Sequence, residues 1–229
     1  MKAICKLEKR YTLVDSIVKQ IRNAITSGKL KPGERLTEKE IADALQIGRN
    51  AVREAFRCLE REGYLTITPF KGASVTIHDN EKIRQMFEVM SELEGICARF
   101  AVQRMTPDDM RLIESLHATL EKHFENNDPQ TYLEVNWELH EFIQSLAKND
   151  VLNNLINGLR QKINLYRKKQ IFQPNRFQAS MDEHRQVLEA FRKNDAMQAE
   201  QLMRQHLLRQ GASLTNEEET KSYQGGTVD

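Results

Sequence analysis

Apolar residues recur every three to four positions along most of this chain, and the interruptions divide it into elements. Val14, Ile17, Val18, Ile21 and Ile25 share one side of a helix over 13–27, which Gly28 stops. KLKPGERL reads as a loop with Pro32-Gly33 as its turn. TEKE then places Thr37 and Glu40 in a capping box, in which each side chain closes a backbone N–H left open by the first turn of a second helix. Ile41 and Leu45 form the inward stripe of that helix, and QIG makes a turn. A third helix runs from Gly48 or Arg49 to Glu62, with Val52, Ala55, Phe56 and Leu59 inward and Gly63 as its stop. The period then changes to two. Tyr64–Thr68 and Ala73–Ile77 predict short strands, and Pro69-Phe70-Lys71-Gly72 predicts the tip between them.

From Glu81 onward the helical period returns and no strand pattern is seen. Six helices are expected over 81–104, 107–125, 129–147, 150–170, 177–193 and 195–213. Thr106-Pro107 and Asp128-Pro129 each give a capping residue followed by proline at the first helical position, and Gln173-Pro174 marks another boundary. The expected fold is mainly α: a winged helix-turn-helix over 1–78, then an antiparallel bundle of about six helices over 79–214. The polar residues 215–229 are expected to be disordered.

Composition narrows the class. With 39% hydrophobic residues and a mean hydropathy of −0.63, the chain can form a core and stay in water. No run of about eighteen apolar residues predicts a membrane span. MKAICKLEKRYTL lacks the apolar segment of an export signal. Cys5, Cys58 and Cys97 match no metal or redox spacing and are expected to be reduced thiols of a cytoplasmic protein.

The net charge is only +1, but residues 1–76 carry 15 Lys and Arg against 9 Asp and Glu, so the excess is N-terminal. Arg49, Asn50, Arg53 and Arg57 fall on one stripe of the third helix, opposite Val52, Phe56 and Leu59. In a winged helix-turn-helix this helix enters the DNA major groove. Arg bonds guanine O6 and N7, and Asn bonds adenine, each through two hydrogen bonds. Arg49, Asn50 and Arg53, nearest the helix N-terminus, are therefore the expected base readers. Arg57 and Lys39 are expected at phosphates, and Lys71 and Gly72 at the minor groove or backbone. The alternative is a protein–protein adaptor in which the arginines form a solvated face.

The helical part offers a second constellation. Tyr132, Asn136, His140, Ile143 and Ala147 share one helical face. His184 is in register with Met181, Leu188 and Phe191, and His206 with Ala199, Leu202 and Met203. A buried imidazole needs a partner, at a cost of roughly 1–3 kcal/mol if it has none. One metal shared by the three rings would satisfy them, with Asn136 adding an oxygen from the same face as His140. Separate hydrogen-bond partners would also satisfy them, and His117, beside Ile113 and Leu120, lies on a similar face. A metal-dependent hydrolase with Glu138 or Glu183 as base is the enzymatic alternative, but no motif places either glutamate and the basic helix would go unexplained.

LKPGERLTEKEIADALQIGRNAVREAFRCLEREGYLTITPFKGASV resembles the N-terminal domain of GntR-family bacterial transcription regulators. The resemblance lies in PG-x-x-L, E-x-x-I-A, R-x-x-VREA-x-x-x-L and the K/R-G wing. The family usually has Ser or Thr at the place of Gly48 and Thr-Pro or similar at Asn50-Ala51. The rest, to about residue 214, resembles the FadR-type, FCD-like ligand domain. The resemblance implies a homodimer bound to a palindromic operator in double-stranded DNA and controlled by a small-molecule effector, with repression as the expected action and no enzymatic activity. Its metal-binding members carry Asp-x-x-x-His, Glu-His and Arg-x-His on three helices. NWELH, DEHRQVLEAF and MRQHL stand at the matching places, which implies His140, His184 and His206 as ligands, with Asn136 in place of the Asp. Neutral N and O ligands suit Zn or Ni. In FEVMSELEG, Met90 replaces an Arg that often contacts an effector carboxylate. Either Arg160, Arg167 or Lys168 substitutes for it, unless YRKKQ is a solvated helix end, or the effector is not a simple carboxylate.

Overall fold

A computed structural model describes residues 13–69, 72–173 and 175–215. The chain forms two compact units, Met1–Ile77 and His78–Asp229.

In the first unit, α1 (Leu13–Thr26) buries Ile17, Val18, Ile21 and Ile25, and packs on α3 (Arg49–Arg61). Before α3 comes α2 (Glu38–Leu45), whose Thr37–Glu40 capping box is complete. Gln46, in the left-handed region at φ 54°, ends α2. The sheet has three strands: β1 (Arg35–Leu36), β2 (Leu65–Thr68) and β3 (Gly72–Val75), in the antiparallel order β1-β3-β2. β1 was expected to be loop. Arg35 and Leu36 pair with Ser74 and Ala73 because Leu36 is drawn into the core, and two residues are too few for an alternating pattern to show. The hairpin strands are shorter than their apolar patterns: Tyr64 precedes β2 and Thr76 and Ile77 follow β3.

Six helices form the second unit among the described residues: α4 (Asn80–Arg104), α5 (Pro107–Glu125), α6 (Pro129–Leu146), α7 (Asp150–Gln170), α8 (Arg176–Arg192) and α9 (Ala196–Thr215). Asp79, Thr106, Asp128 and Asn149 each accept a hydrogen bond from a first-turn N–H of the helix they open. α8 begins differently, from Asn175 at φ 60° and without a side-chain cap. The core is closed by Phe87, Met90, Leu120, Tyr132, Ile156, Met181 and Phe191. α4 and α9 pack along one another so closely that a Cβ on Gly95 would lie 2.5 Å from Arg204 Cγ, and one on Gly211 2.6 Å from Phe87 Cβ. Cys58 and Cys97 are free thiols. No helix among the described residues is long and apolar enough to cross a membrane. Cys5, Lys71 and the expected tail beyond Thr215 lie outside the described residues.

Candidate functional site

α3 separates its two faces cleanly. Val52, Ala55, Phe56 and Leu59 are buried, while Arg49, Asn50, Arg53 and Arg57 are exposed on the other side. Gly48 caps the helix with no side-chain bond, as a residue lacking a hydroxyl must. Lys39 is exposed on α2, and Gly72 opens β3 at φ +85°, where a Cβ would be strained. The arginines are not equivalent. Arg53 forks onto Glu38 across the turn, with Nε to Oε1 at 2.8 Å and Nη2 to Oε2 at 2.6 Å. That hydrogen bond is the main reason the Glu38 carboxyl titrates below its usual range. No such ion pair holds Arg49 or Arg57 among the described residues. In the DNA-free chain Arg53 thus ties α2 to α3 through an exposed ion pair, whereas the side chains of Arg49 and Asn50 have no such partner among the described residues.

In the helical unit, α6, α8 and α9 bring His140, His184 and His206 together. The ring centroids are 5.3, 5.4 and 4.5 Å apart, and one ring nitrogen from each lies within 4.8 Å of the others. All three residues are at most 2% exposed, and Asn136, one turn before His140 on α6, is 3% exposed. Two chains of buried charge hold the outer rings. On one side, Arg160 Nη2 donates to Glu94 Oε1 at 3.1 Å, and Glu94 Oε2 faces His140 Nδ1 at 2.6 Å. On the other, Arg176 forks onto Glu183 at 2.9 and 2.6 Å, and Glu183 Oε2 faces His206 Nδ1 at 2.7 Å. A carboxylate accepting at Nδ1 keeps the proton there and turns the Nε2 lone pair inward, the arrangement found behind metal-bound histidines.

The electrostatics keep His184 and His206 neutral. Burial pushes the His206 pKa down to about 4 against the opposing pull of Glu183. Burial, reinforced by the neighbouring rings, holds His184 well below its usual value. His184 Nε2 and Asn136 Oδ1 are buried with no hydrogen-bond partner among the described residues. His117 on α5 lies outside the trio. Its ring meets the His184 backbone, and burial lowers its pKa.

Several sequence expectations change here. Arg160, expected to meet an effector, is 5% exposed and bonded to Glu94. The Arg167 and Lys168 side chains lie outside the described residues. Met90 is fully buried one turn before Glu94, so no cation stands at that place. Glu183 cannot serve as a base: although burial would raise its pKa, hydrogen bonds from His206 and Arg176 bring it to about 2. Glu138 is exposed, unlike its neighbours Asn136 and His140. Glu94, Glu183, Arg176 and Gln210 were not singled out as supports of the site. Only the Glu183-His184 adjacency hinted at them.

Comparison with known proteins identifies the family. The model of the "Bacterial regulatory proteins, gntR family" matches residues 13–75, and that of the "FCD domain" matches residues 85–209. The uncharacterized HTH-type transcriptional regulator YdhC of Bacillus subtilis is 25% identical over 202 residues, covering 88% of this chain and 90% of its own. The galactonate operon transcriptional repressor of Escherichia coli is 27% identical over 210 residues, covering 82% and 90%. The solved structure of E. coli McbR/YncC, 21% identical, superposes with a TM-score of 0.68 over 93% of this chain and 99% of that one, and shows the same fold. The chain is therefore a DNA-binding transcriptional regulator, not an enzyme, and belongs to the GntR family of bacterial regulatory proteins with an FCD domain behind its winged helix.

Proposed function

We propose that this regulator is a repressor that binds a palindromic operator as a homodimer through α3, and that its helical unit senses an anionic small molecule at a divalent metal held by His140, His184, His206 and Asn136. The observation that carries this reading is the buried convergence of three imidazoles, with His184 Nε2 and Asn136 Oδ1 left without a hydrogen-bond partner among the described residues. A fold that buries polar atoms without partners sacrifices stability, and a ligand for them restores it. Neutral nitrogens and an amide oxygen suit Zn or Ni, and with no anionic ligand the ion keeps its full positive charge for an effector carboxylate. When bound, the ion supplies Lewis-acid positions for that effector. The chain's own residues do the rest: Glu94 and Glu183 orient the rings, Arg160 and Arg176 hold the carboxylates, and the apolar wall excludes water. Repression is supported by the galactonate operon repressor of E. coli among the relatives. Effector control requires unequal affinity for the DNA-bound and released forms, typically about 1–3 kcal/mol.

Untagged protein purified without chelator is expected to carry about one Zn or Ni per chain by elemental mass spectrometry. Its operator affinity is expected to change on chelation or on addition of the effector. A metal-free protein that takes up neither ion, and whose operator binding ignores chelation, would remove the metal from this reading and leave the DNA-binding part intact. For that part, Arg49→Ala is expected to cost about 1–3 kcal/mol in operator binding and to relax preference at one base position. An unaltered titration against both the operator and its single-base variants would strike Arg49 from the readers.

A further inference from the structure

Gln210 lies one helical turn beyond His206 on α9, is 2% exposed, and places its amide nitrogen 2.6 Å from His206 Nε2. The groups on the far side of the ring fix the protons in this contact. Arg176 forks onto Glu183, which is thereby a carboxylate and can only accept. His206 Nδ1, 2.7 Å from Glu183, must then donate. A neutral imidazole has one N–H, so Nε2 carries the lone pair. Gln210 must therefore present its NH2 group and not its carbonyl, because two acceptors would repel. The amide donates to the very lone pair that a metal at the cluster requires.

We propose that Gln210 is a built-in competitor of the metal. In the metal-free chain its amide covers His206 Nε2, and it has to release that nitrogen before the ion can bind. The proposal rests on the histidine cluster being a metal site. It gives the three histidines different parts. The competitor acts on His206, the ring on the same helix one turn earlier, whereas His184 Nε2 has no hydrogen-bond partner among the described residues. The set point of the sensor then depends on a residue that need not touch the ion, and the cluster is tuned to answer a higher metal concentration than its donors alone would require. Gln210 also acts as a placeholder that keeps the ring satisfied until the ion arrives.

Three roles for Gln210 predict different signs. If it competes, Gln210→Leu loses the donor, the metal-free protein melts at a lower temperature, and Zn2+ binds about three- to tenfold more tightly, the equivalent of one hydrogen bond no longer opposed. If it ligates the ion through its carbonyl, the same change weakens binding. If it only fills space, melting falls equally with and without Zn2+ and affinity is unchanged. The test uses the full chain, stripped of metal and titrated with Zn2+ against a chromophoric chelator, with thermal melts before and after loading. Gln210→Ala removes the same donor and serves if the leucine variant does not fold. Tighter binding in either variant supports the proposal, as does uptake by a variant where the wild type takes up none. Equal or weaker binding beside a wild type that does take up Zn2+ overturns the competitor and leaves the site. No uptake by any of the three proteins overturns both.

Discussion

Replacing Arg176 by methionine is expected to destabilise the metal-free protein by about 3–5 kcal/mol, because it breaks one half of a buried ion pair and leaves the other. Arg176 and Glu183 are 5% and 4% exposed, and the guanidinium meets both carboxylate oxygens. Burial alone would push the Glu183 pKa up; hydrogen bonds from His206 and Arg176 bring it to about 2. Without Arg176, the nearest cation is Arg209, whose Nη1 is 3.5 Å away on a side chain more than half exposed. Glu183 then either stays charged without a full partner or takes a proton. A protonated Glu183 no longer fixes the His206 proton on Nδ1, so metal uptake is expected to weaken as well. Urea unfolding of the chelator-treated protein reads the loss. Adding Glu183→Gln should recover part of it, since the penalty lies in the stranded charge. A midpoint equal to that of the wild type would show that the pair contributes nothing to stability.

His184→Leu is expected to have opposite effects on metal binding and on stability. Metal content should drop from about one ion per chain to none, because one of the three imidazole donors is gone. The metal-free protein should keep its stability or gain about 1 kcal/mol, because an apolar side chain of similar volume replaces a ring with an unpartnered nitrogen. His184 is 2% exposed, its Nε2 has no hydrogen-bond partner among the described residues, and burial holds its pKa well below the usual value. A residue chosen only for packing would not look like this. Elemental analysis and urea midpoints, each with and without Zn2+, separate the two effects. A leucine variant that still binds one ion, or that unfolds far more easily without metal, would mean that His184 is a structural side chain.

The sequence shows local order well and long-range chemistry poorly. Thr37 and Glu40 are three residues apart, so their capping box can be read from four letters. The two faces of α3 are legible because four arginine and asparagine positions and four apolar ones alternate at helical spacing. The faces of His140, His184 and His206 are legible for the same reason. The partners that orient the rings are not: Glu94 is 46 residues from His140, and 66 separate it from Arg160. Glu183 adjoins His184 yet serves His206, because neighbours on a helix point about 100° apart. Arg53 shows the converse limit. Its position on α3 is that of a base reader, and only the tertiary turn brings Glu38, 15 residues earlier, within reach of its guanidinium. β1 escaped notice because two residues form no pattern; the sheet is what makes them a strand.

Gly95 adjoins Glu94, and Gly211 adjoins Gln210. At both places the opposing side chain already occupies the space a Cβ would need. The distance between α4 and α9 is thus at its steric minimum beside two of the residues that surround the cluster. The helix pair has no slack toward closure and can answer strain at the histidines only by sliding or parting. A side chain at either glycine would therefore wedge the two helices apart beside Glu94 and Gln210, and so would disturb the cluster from outside it.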